Sequence, residues 1–281
     1  MKILAGPHNW EYLTKYFSLG LEGFDCKIFS YDGSSELNLN WGDSLESLLG
    51  RLPEGWEPDW VIWWLPEYLR FPPDIGDCPY PTLLVVSDWN VISEPLYRMV
   101  EAFDVVATDP MGVQRLETYG VEVPFFQAPL YGFVPGHHRV VVRERDIPVG
   151  YIGNTNGLAY RDRMQTLATA CHGLDPGQMT IASGVFGEDY VQLLNRCHIT
   201  LNHSLRGELN MRSFEAMACG SLLFCEDTNL EAPLYFEDGR DLVMFNQSNL
   251  VEKLRYYLAR PQQATAIARR GYERVQEFSY Q

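Results

Sequence analysis

Two oppositely charged side chains, Arg212 and Glu215, stand three positions apart in the stretch RGELNMRSFEAMACG, residues 206–220. On a helix, this spacing places both side chains on one face. A guanidinium group there suits a diphosphate, and a carboxylate can accept two hydrogen bonds from ribose hydroxyls. The same spacing also describes an ordinary surface ion pair worth roughly 0.3 kcal/mol, so both interpretations stay open.

A second candidate is the loop GNTNG, residues 153–157, which joins a predicted strand to a predicted helix. Glycines let backbone N–H groups approach a phosphate, and the N-terminus of the next helix adds a favourable dipole. Gly153 and Asn154 are the predicted contacts, while Arg161 and Arg163 follow and are able to neutralise phosphate charge. A purely structural turn explains the loop equally well, because it matches neither GxGxxG nor a P-loop.

Ligands of open parallel sheets collect where the strands end at their carboxyl edge. By this rule His203, after a predicted strand, and Asn210, the predicted N-cap of a helix over residues 210–219, join the nucleotide-binding set. The rule also selects His8 and Asp88, after the first and fourth strands, as candidates for a general base. A polar or structural role for His8 and a helix-capping or turn role for Asp88 are the alternatives.

Strands and helices alternate along the chain in two runs, which predicts parallel sheets covered by helices and hence an α/β fold. Residues 129–147 interrupt this rhythm with Pro, Gly, His and charged residues, and are predicted to connect two Rossmann-like domains, 1–140 and 141–281. His137 and His138 lie in this connection, where a solvated loop is expected. The apolar run that contains Trp63 and Trp64 predicts a buried strand, with core packing favoured over a sugar-stacking wall.

Bulk composition narrows the classes of function. The 22 basic and 37 acidic side chains give a net charge of −15, which disfavours nucleic acid as the main partner. We find no signal-peptide-like start and no apolar stretch long enough to span a membrane, so a cytoplasmic location is expected. Six cysteines without a CxxC pair predict free thiols, and we expect no metal site.

Residues 196–260 resemble the C-terminal domain of group 1 glycosyltransferases of the GT-B type, and are most similar to the CgeB-like, spore-maturation-type branch. The similarity is weaker but continuous upstream. Its features are Leu201-Asn202, Asn210-x-Arg212-x-Phe214-Glu215-Ala216-x-Ala218-x-Gly220, Glu226-Asp227, Phe236 with Gly239, and the helix over residues 250–258.

This resemblance implies two Rossmann-like domains that face a cleft. Domain 141–281 would hold a nucleotide diphosphate sugar, with Glu215 on the ribose and Arg212 near the diphosphate, and domain 1–140 would hold the acceptor. Related retaining families often have two glutamates eight positions apart, whereas Glu208 and Glu215 are seven apart here. No Asp-x-Asp motif is present, which fits the metal-independent chemistry of this type.

The sequence therefore predicts a metal-independent glycosyltransferase without a cofactor, which uses a nucleotide-sugar donor. The acceptor, whether glycan, protein or small molecule, stays open. A sugar-nucleotide epimerase on the same fold and a non-catalytic nucleotide- or sugar-binding module are the alternatives. Replacement of Glu215 by Ala is expected to weaken nucleotide binding and to leave the fold intact.

Overall fold

Short apolar runs, each followed by a polar or glycine-containing loop, form the strands of two parallel sheets. The computed structural model describes residues 1–8, 23–64, 71–87, 89, 94–141, 144–157, 160–204 and 207–280. Two compact units make up this part of the chain: Met1–Leu130 together with Tyr280, and Tyr131–Ser279. All pairings between the named strands are parallel. The prediction of an α/β chain with two Rossmann-like sheets is confirmed.

The first unit contains a seven-stranded sheet in the order β3-β2-β1-β4-β5-β6-β7. Its strands are β1 (Lys2–Gly6), β2 (Asp25–Ser30), β3 (Leu37–Asn38), β4 (Trp60–Trp64), β5 (Thr82–Val86), β6 (Val105–Thr108) and β7 (Phe125–Gln127). Its described α-helices are α1 (Leu45–Leu49), α2 (Glu94–Met99) and α3 (Pro110–Tyr119), and 3₁₀ turns span Ile75–Asp77 and Val100–Ala102. The helix predicted near residues 10–21 lies outside the described residues.

The second unit contains a five-stranded sheet in the order β12-β11-β10-β8-β9. Its strands are β8 (Ile147–Ile152), β9 (Met179–Ala182), β10 (Cys197–Leu201), β11 (Leu222–Glu226) and β12 (Val243–Phe245). Its described helices are α4 (Arg161–Gly173), α5 (Gly187–Arg196), α6 (Met211–Ala218), α7 (Ala232–Tyr235), α8 (Leu250–Leu258) and α9 (Pro261–Val275), with a 3₁₀ turn at Gln276–Phe278.

Cap residues set the ends of the helices more sharply than apolar spacing does. Spacing alone predicts that α3 begins at Val113, but Asp109 accepts a hydrogen bond from the Gly112 N–H at 2.6 Å and Pro110 occupies the first turn. These are favourable N-cap and N1 residues, so the helix begins earlier. Gly120 ends it in the left-handed conformation, at φ 66°, as the sequence predicts.

Both faces of the second sheet are buried under helices. On β11, Leu222 and Phe224 pack into one core cluster while the alternating Leu223 and Cys225 pack into the other. This burial on both sides explains why the strand reads as a continuous apolar run. In the first unit Trp63 is fully buried, with its ring 4.7 Å from that of Phe29, which confirms the prediction of a core residue.

The unit boundary precedes the predicted one because the connecting segment packs into the second core. Phe133 is 1% exposed in that core, and its backbone N–H donates to the carbonyl of Phe278. All six cysteines are free thiols. Among the described residues, no helix combines the length and apolar character needed to cross a membrane.

Arg145 holds the C-terminal ends of two helices together. Its Nη1 donates to the carbonyls of Leu194, Asn195 and Cys197 at 3.3, 2.6 and 2.8 Å, and its Nη2 donates to the carbonyl of Cys219 at 2.8 Å. The last carbonyls of a helix have no partner within the helix, so this guanidinium satisfies acceptors at the ends of both α5 and α6. Burial lowers the pKa of Arg145.

We expect the Arg145→Met variant to lose about 2–3 kcal/mol of unfolding free energy, because several half-buried carbonyls lose their donor. Urea denaturation followed by circular dichroism measures this loss. The matched control is Arg196→Met, whose exposed ion pair with Asp146 contributes little. Equal stability of the two variants would contradict the assignment.

Candidate donor-binding site

The second sheet reverses its strand order between β8 and β10, and open α/β sheets bind ligands in the crevice at such a reversal. The loop that begins at Gly153 follows β8, and Asn202 with His203 follows β10. Helix α6 then begins after Asn210. Of the residues that the sequence assigns to a nucleotide, Gly153, Asn154, His203, Asn210 and Arg212 therefore lie at this crevice.

Arg212 links the ends of the two strands. Its Nε donates to the Ile152 carbonyl at 2.6 Å, and its Nη1 donates to Asn202 Oδ1 at 2.8 Å. The guanidinium carbon lies 4.7 Å from the centroid of the Tyr151 ring. In the described part of the chain, Nη2 has no hydrogen-bond partner, so one edge of the guanidinium remains available to an anion.

Gly153 leaves room for the guanidinium group of Arg212, which a larger residue at this position would displace. A Cβ atom at this position would stand 1.9 Å from Arg212 Nη2 and 2.7 Å from its guanidinium carbon. The backbone N–H of Gly153 donates to the Ala182 carbonyl at 2.9 Å. The loop glycine thus gives the Arg212 guanidinium its place beside the end of β8.

A second guanidinium, that of Arg163, enters the site from α4. Its side chain is buried, with Nε donating to the His203 carbonyl at 2.8 Å and Nη1 to the Asn154 carbonyl at 3.3 Å. Burial lowers the pKa of Arg163, and the positive charge of Arg212 lowers it further. Two cations that disfavour each other in this way gain from an anion bound beside them.

Of the two arginines in this helix, Arg161 does not enter the packed site. It is the first residue of α4 and its side chain is exposed. Arg163 shares the inward face of the helix with Leu167 and Ala170, which are spaced at the helical period. That period is the sequence signal that selects Arg163 as the inward-facing arginine.

Asn210 and Asn202 fix the start of α6. Asn210 is the N-cap residue, but its Nδ2 donates to Asn202 Oδ1 at 3.3 Å, and its side chain does not cap the helix. Asn202 is fully buried, and its Nδ2 donates to Ser213 Oγ at 3.0 Å. The first turn of α6 is thereby aligned with the crevice, where its N–H groups and dipole favour an anion.

The loop between β10 and α6 rests on a buried polar network that the sequence analysis did not predict. Glu226 accepts hydrogen bonds from the N–H and the hydroxyl of Ser204 and from Asn229 Nδ2. Asn229 Nδ2 also donates to the Glu208 carbonyl at 2.7 Å. His203 Nδ1 lies 2.9 Å from the Ser204 carbonyl, so it carries the proton of the neutral ring.

Glu215 is only 4% exposed, and each of its carboxylate oxygens has a protein donor. The Tyr190 hydroxyl donates to Oε2 at 2.6 Å, and His138 Nε2 lies 3.4 Å from Oε1. The Val134 N–H donates to His138 Nδ1, so the proton of the neutral ring is on Nε2 and points to Glu215. Burial lowers the pKa of His138, which the charge of Glu215 partly offsets.

His138 corrects one expectation from the sequence. The connecting segment was expected to form a solvated loop there, yet this side chain is 1% exposed. It is buried because it pairs with Glu215. The ribose-binding role of Glu215 stays a prediction, and the residue also has a structural role that its sequence context does not show.

The two candidates for a general base belong to the first unit. His8 follows β1 and its side chain is 1% exposed. Its backbone N–H donates to the Phe29 carbonyl at 2.8 Å, and burial lowers the pKa of its imidazole to about 3. The ring is therefore neutral at physiological pH. Asp88 lies outside the described residues. The catalytic roles of both stay predictions.

We expect Glu215→Ala to reduce the unfolding free energy by about 2–4 kcal/mol, because it leaves the donors of Tyr190 and His138 buried without this acceptor. This revises the expectation of an intact fold. Glu188→Ala is the control, since its exposed carboxylate accepts a hydrogen bond from Gln192 one turn later in α5. A melting temperature of Glu215→Ala equal to that of the control would refute the structural role.

His8 is expected to make the fold sensitive to acid. Its pKa is about 3 in the folded chain and about 6.5 when unfolded, so below pH 6.5 the unfolded chain binds a proton that the folded chain does not. Unfolding free energy then falls on the order of 1 kcal/mol per pH unit down to pH 3. Denaturation between pH 7 and 4 should show a shallower decline for His8→Gln and an unchanged one for the exposed-site control His198→Gln.

Comparison with known proteins adds a family for the second half of the chain. Residues 143–281 match the family model described as "Glycosyl transferase-like". A sequence search against curated proteins gave no significant match. Within the described residues, no group of three or more His, Cys, Asp or Glu side chains is placed to hold a metal ion.

Solved structures similar to the whole chain are glycosyltransferases of low sequence identity. Sucrose-phosphate synthase from Thermosynechococcus elongatus is 14% identical with a TM-score of 0.66, over 99% of this chain and 94% of that one. Anabaena HepE in complex with UDP-glucose is 13% identical with a TM-score of 0.66, over 99% and 95%. A glycosyltransferase from Rickettsia africae is 10% identical with a TM-score of 0.68, over 99% and 94%.

At this level of identity the structures establish the fold, and the family model characterises the domain that contains the crevice. Together they confirm the prediction of a nucleotide-sugar-dependent glycosyltransferase at the level of family and fold. Residues 143–281 therefore resemble the glycosyl transferase-like family, and the chain as a whole has the GT-B fold.

Proposed function

We propose that the chain transfers a sugar from a nucleotide diphosphate sugar to an acceptor hydroxyl without a metal ion, and that the diphosphate binds between Arg212, Arg163 and the start of α6. One observation carries this proposal: two guanidinium groups converge at the crevice of the second sheet, and one of them lies against a glycine that admits it.

The charge distribution supports a phosphate ligand at this point. The chain carries a net charge of −15, so two neighbouring cations inside a crevice contrast with the rest of the molecule. Burial and, to a smaller extent, the charge of Arg212 lower the pKa of Arg163, and an anion bound there offsets both effects. The N-terminal dipole of α6 adds a further favourable interaction with negative charge.

In the proposed reaction, the bond between the anomeric carbon and the diphosphate breaks, and the diphosphate oxygen keeps the electron pair. Fixed positive groups aimed at this oxygen stabilise the charge as it develops. Arg212 and Arg163 are fixed by hydrogen bonds to the Ile152 and His203 carbonyls, so they require little reorganisation. The acceptor oxygen bonds to the anomeric carbon and releases its proton.

The nucleotide is proposed to be uridine diphosphate, because Anabaena HepE, which shares the fold, was solved with UDP-glucose and with UDP and glucose. Glu215 is proposed to receive the ribose hydroxyls, as the resemblance to group 1 glycosyltransferases implies. Asn154, His203 and Asn210 border the same crevice. Membership of the CgeB-like branch and a cytoplasmic location belong to this proposal as well.

For an inverting reaction, the first unit would supply the base that takes the acceptor proton. His8 is buried and its low pKa makes it a weak base. This favours Asp88 as the base of the two candidates. A retaining reaction requires neither.

The experiment is a thermal-shift titration with UDP and UDP-sugars, in EDTA and in magnesium. We expect UDP to raise the melting temperature equally in both, because the bound state is stabilised by mass action without a metal. Arg212→Lys keeps the charge but removes the forked donor, and should weaken UDP affinity about 10- to 100-fold. Arg255→Ala, on the exposed face of α8, is the control.

Two results would overturn the proposal. A shift that appears only with magnesium would exclude metal-independent binding, and unchanged UDP affinity of Arg212→Lys would exclude the diphosphate assignment. Incubation with UDP-sugar alone separates the remaining alternatives: conversion of the sugar without an acceptor indicates an epimerase. Binding without turnover for any acceptor indicates a non-catalytic module.

A further inference from the structure

The first unit exposes an aromatic pair that the donor chemistry does not use. The Trp41 side chain is 60% exposed, and its ring is stacked on that of Tyr31 with centroids 4.7 Å apart and an interplanar angle of 6°. A single exposed ring is common on protein surfaces, so the informative feature is that the two rings are stacked. Tyr31 supports one face of the indole.

The turn that carries Trp41 is fixed by its neighbours. Asp43 accepts hydrogen bonds from the N–H and the Nδ2 of Asn40 at 2.9 and 3.3 Å, and from Arg51 Nη2 at 2.5 Å. Gly42 takes the left-handed conformation, at φ 95°, that completes the turn. The hydrogen bonds from Asn40 and Arg51 lower the pKa of Asp43, so its carboxylate is ionised at neutral pH.

The loop that carries Tyr31 is equally well fixed. Asp32 Oδ1 accepts from the Ser34 N–H at 3.0 Å and lies 2.6 Å from the Ser34 hydroxyl. The Gly33 N–H donates to Asn38 Oδ1 at 2.8 Å, which ties the loop after β2 to the end of β3. Both rings therefore stand on turns that are organised before any ligand binds, which reduces the entropic cost of binding.

The aromatic pair lies at the edge of the sheet where ligands of this architecture bind. Tyr31 directly follows β2, and Trp41 follows β3, so both are at the carboxyl edge of the first sheet. The Ser34 hydroxyl lies 3.0 Å from the carbonyl of His8, the residue placed after β1. The pair thus neighbours the strand where the order of the first sheet reverses.

The surrounding groups select one class of ligand. A sugar ring presents an apolar C–H face to an aromatic ring and donates hydroxyls from its rim, while Asp32, Asn40 and Asp43 supply acceptor oxygens beside the pair. Glu36 is paired with Lys27 and Asp43 with Arg51, while Asp32 accepts from the uncharged Ser34 in the bonds described above. The carboxylates of this region thus outnumber its cations, and the residual negative charge disfavours phosphorylated, sialylated and uronic acid ligands.

We propose that Tyr31 and Trp41 form an aromatic platform that binds a neutral sugar residue of a carbohydrate acceptor. The acceptor role rests on the proposed glycosyltransferase function, whereas sugar binding by the platform does not. The platform narrows the acceptor from glycan, protein or small molecule to a glycan with a neutral sugar at the binding position.

The test is direct binding to an array of immobilised neutral and anionic glycans, with the full chain displayed as a streptavidin tetramer to raise avidity. The array is run without nucleotide and with UDP. We expect the wild type to bind neutral glycans, and Trp41→Ala to lose at least about tenfold of the signal, because an aromatic anchor is removed. Trp41→Phe should recover part of it.

Phe126→Ala is the matched control, because Phe126 is an exposed aromatic, 48% accessible, on strand β7 of the same unit. Its glycan signal should equal that of the wild type. Circular dichroism and the UDP-induced thermal shift of Trp41→Ala should also match the wild type. If Trp41→Ala does not fold, Trp41→Phe and Tyr31→Ala are compared with the wild type instead. Both should give a weaker glycan signal than the wild type.

Three results would overturn the platform: no neutral glycan bound by the folded wild type, binding of anionic glycans only, or an equal signal for wild type and Trp41→Ala. Failure of the donor-binding proposal would give a different experimental result. In that case UDP gives no thermal shift, while the array without nucleotide still reports whether the platform binds sugars.

Discussion

The arrangement of the second unit depends on one side chain, that of Arg212. Its guanidinium joins the end of β8, through the Ile152 carbonyl, to the end of β10, through Asn202. Arg163 makes a second link between the same two loops, through the carbonyls of Asn154 and His203. The Arg212 link also fixes the direction of α6, from whose first turn Arg212 projects. The geometry of the proposed donor site thus depends on bridging cations, of which Arg212 is the one that also belongs to α6.

Charge is distributed unequally between the carboxyl edges of the two sheets. The second sheet presents guanidinium groups and a helix N-terminus there, which suits an anionic donor. The first sheet presents aromatic rings bordered by carboxylates and amides, which suits a neutral, hydroxyl-rich partner. The strongly acidic composition of the chain is thus compatible with a diphosphate ligand, because two guanidinium groups lie together in one crevice.

The sequence alone predicts those structural features that are determined by residues a few positions apart. The C-terminal end of α3, the helix that begins after Asn210 and the burial of Trp63 all follow from caps and apolar runs within a few residues. Arg212 was identified by its position on a short helix. Local signals do not reveal partners from distant segments, which explains why the donors of Glu215, Tyr190 and His138, were not predicted.

Other features needed three-dimensional information for physical reasons. Arg161 and Arg163 both follow the glycine loop, and only the packed face of α4 distinguishes them. Glu226 and Asn229 appear in the sequence as ordinary strand-end polar residues, yet their hydrogen bonds support the loop before α6. Such networks join loops that follow different strands, and the pairing of those strands is not encoded within any one of them.

The ties between α5 and α6 have a dynamic consequence. Tyr190, in the first turn of α5, bonds to Glu215 in the middle of α6, and Arg145 holds the C-terminal ends of both helices. Neither helix can separate from the other without breaking several buried hydrogen bonds at once. Their backbone amides should therefore exchange with solvent deuterium in a single cooperative opening, as one foldon. Glu215 would then report on the integrity of this helix pair as well as on the ligand.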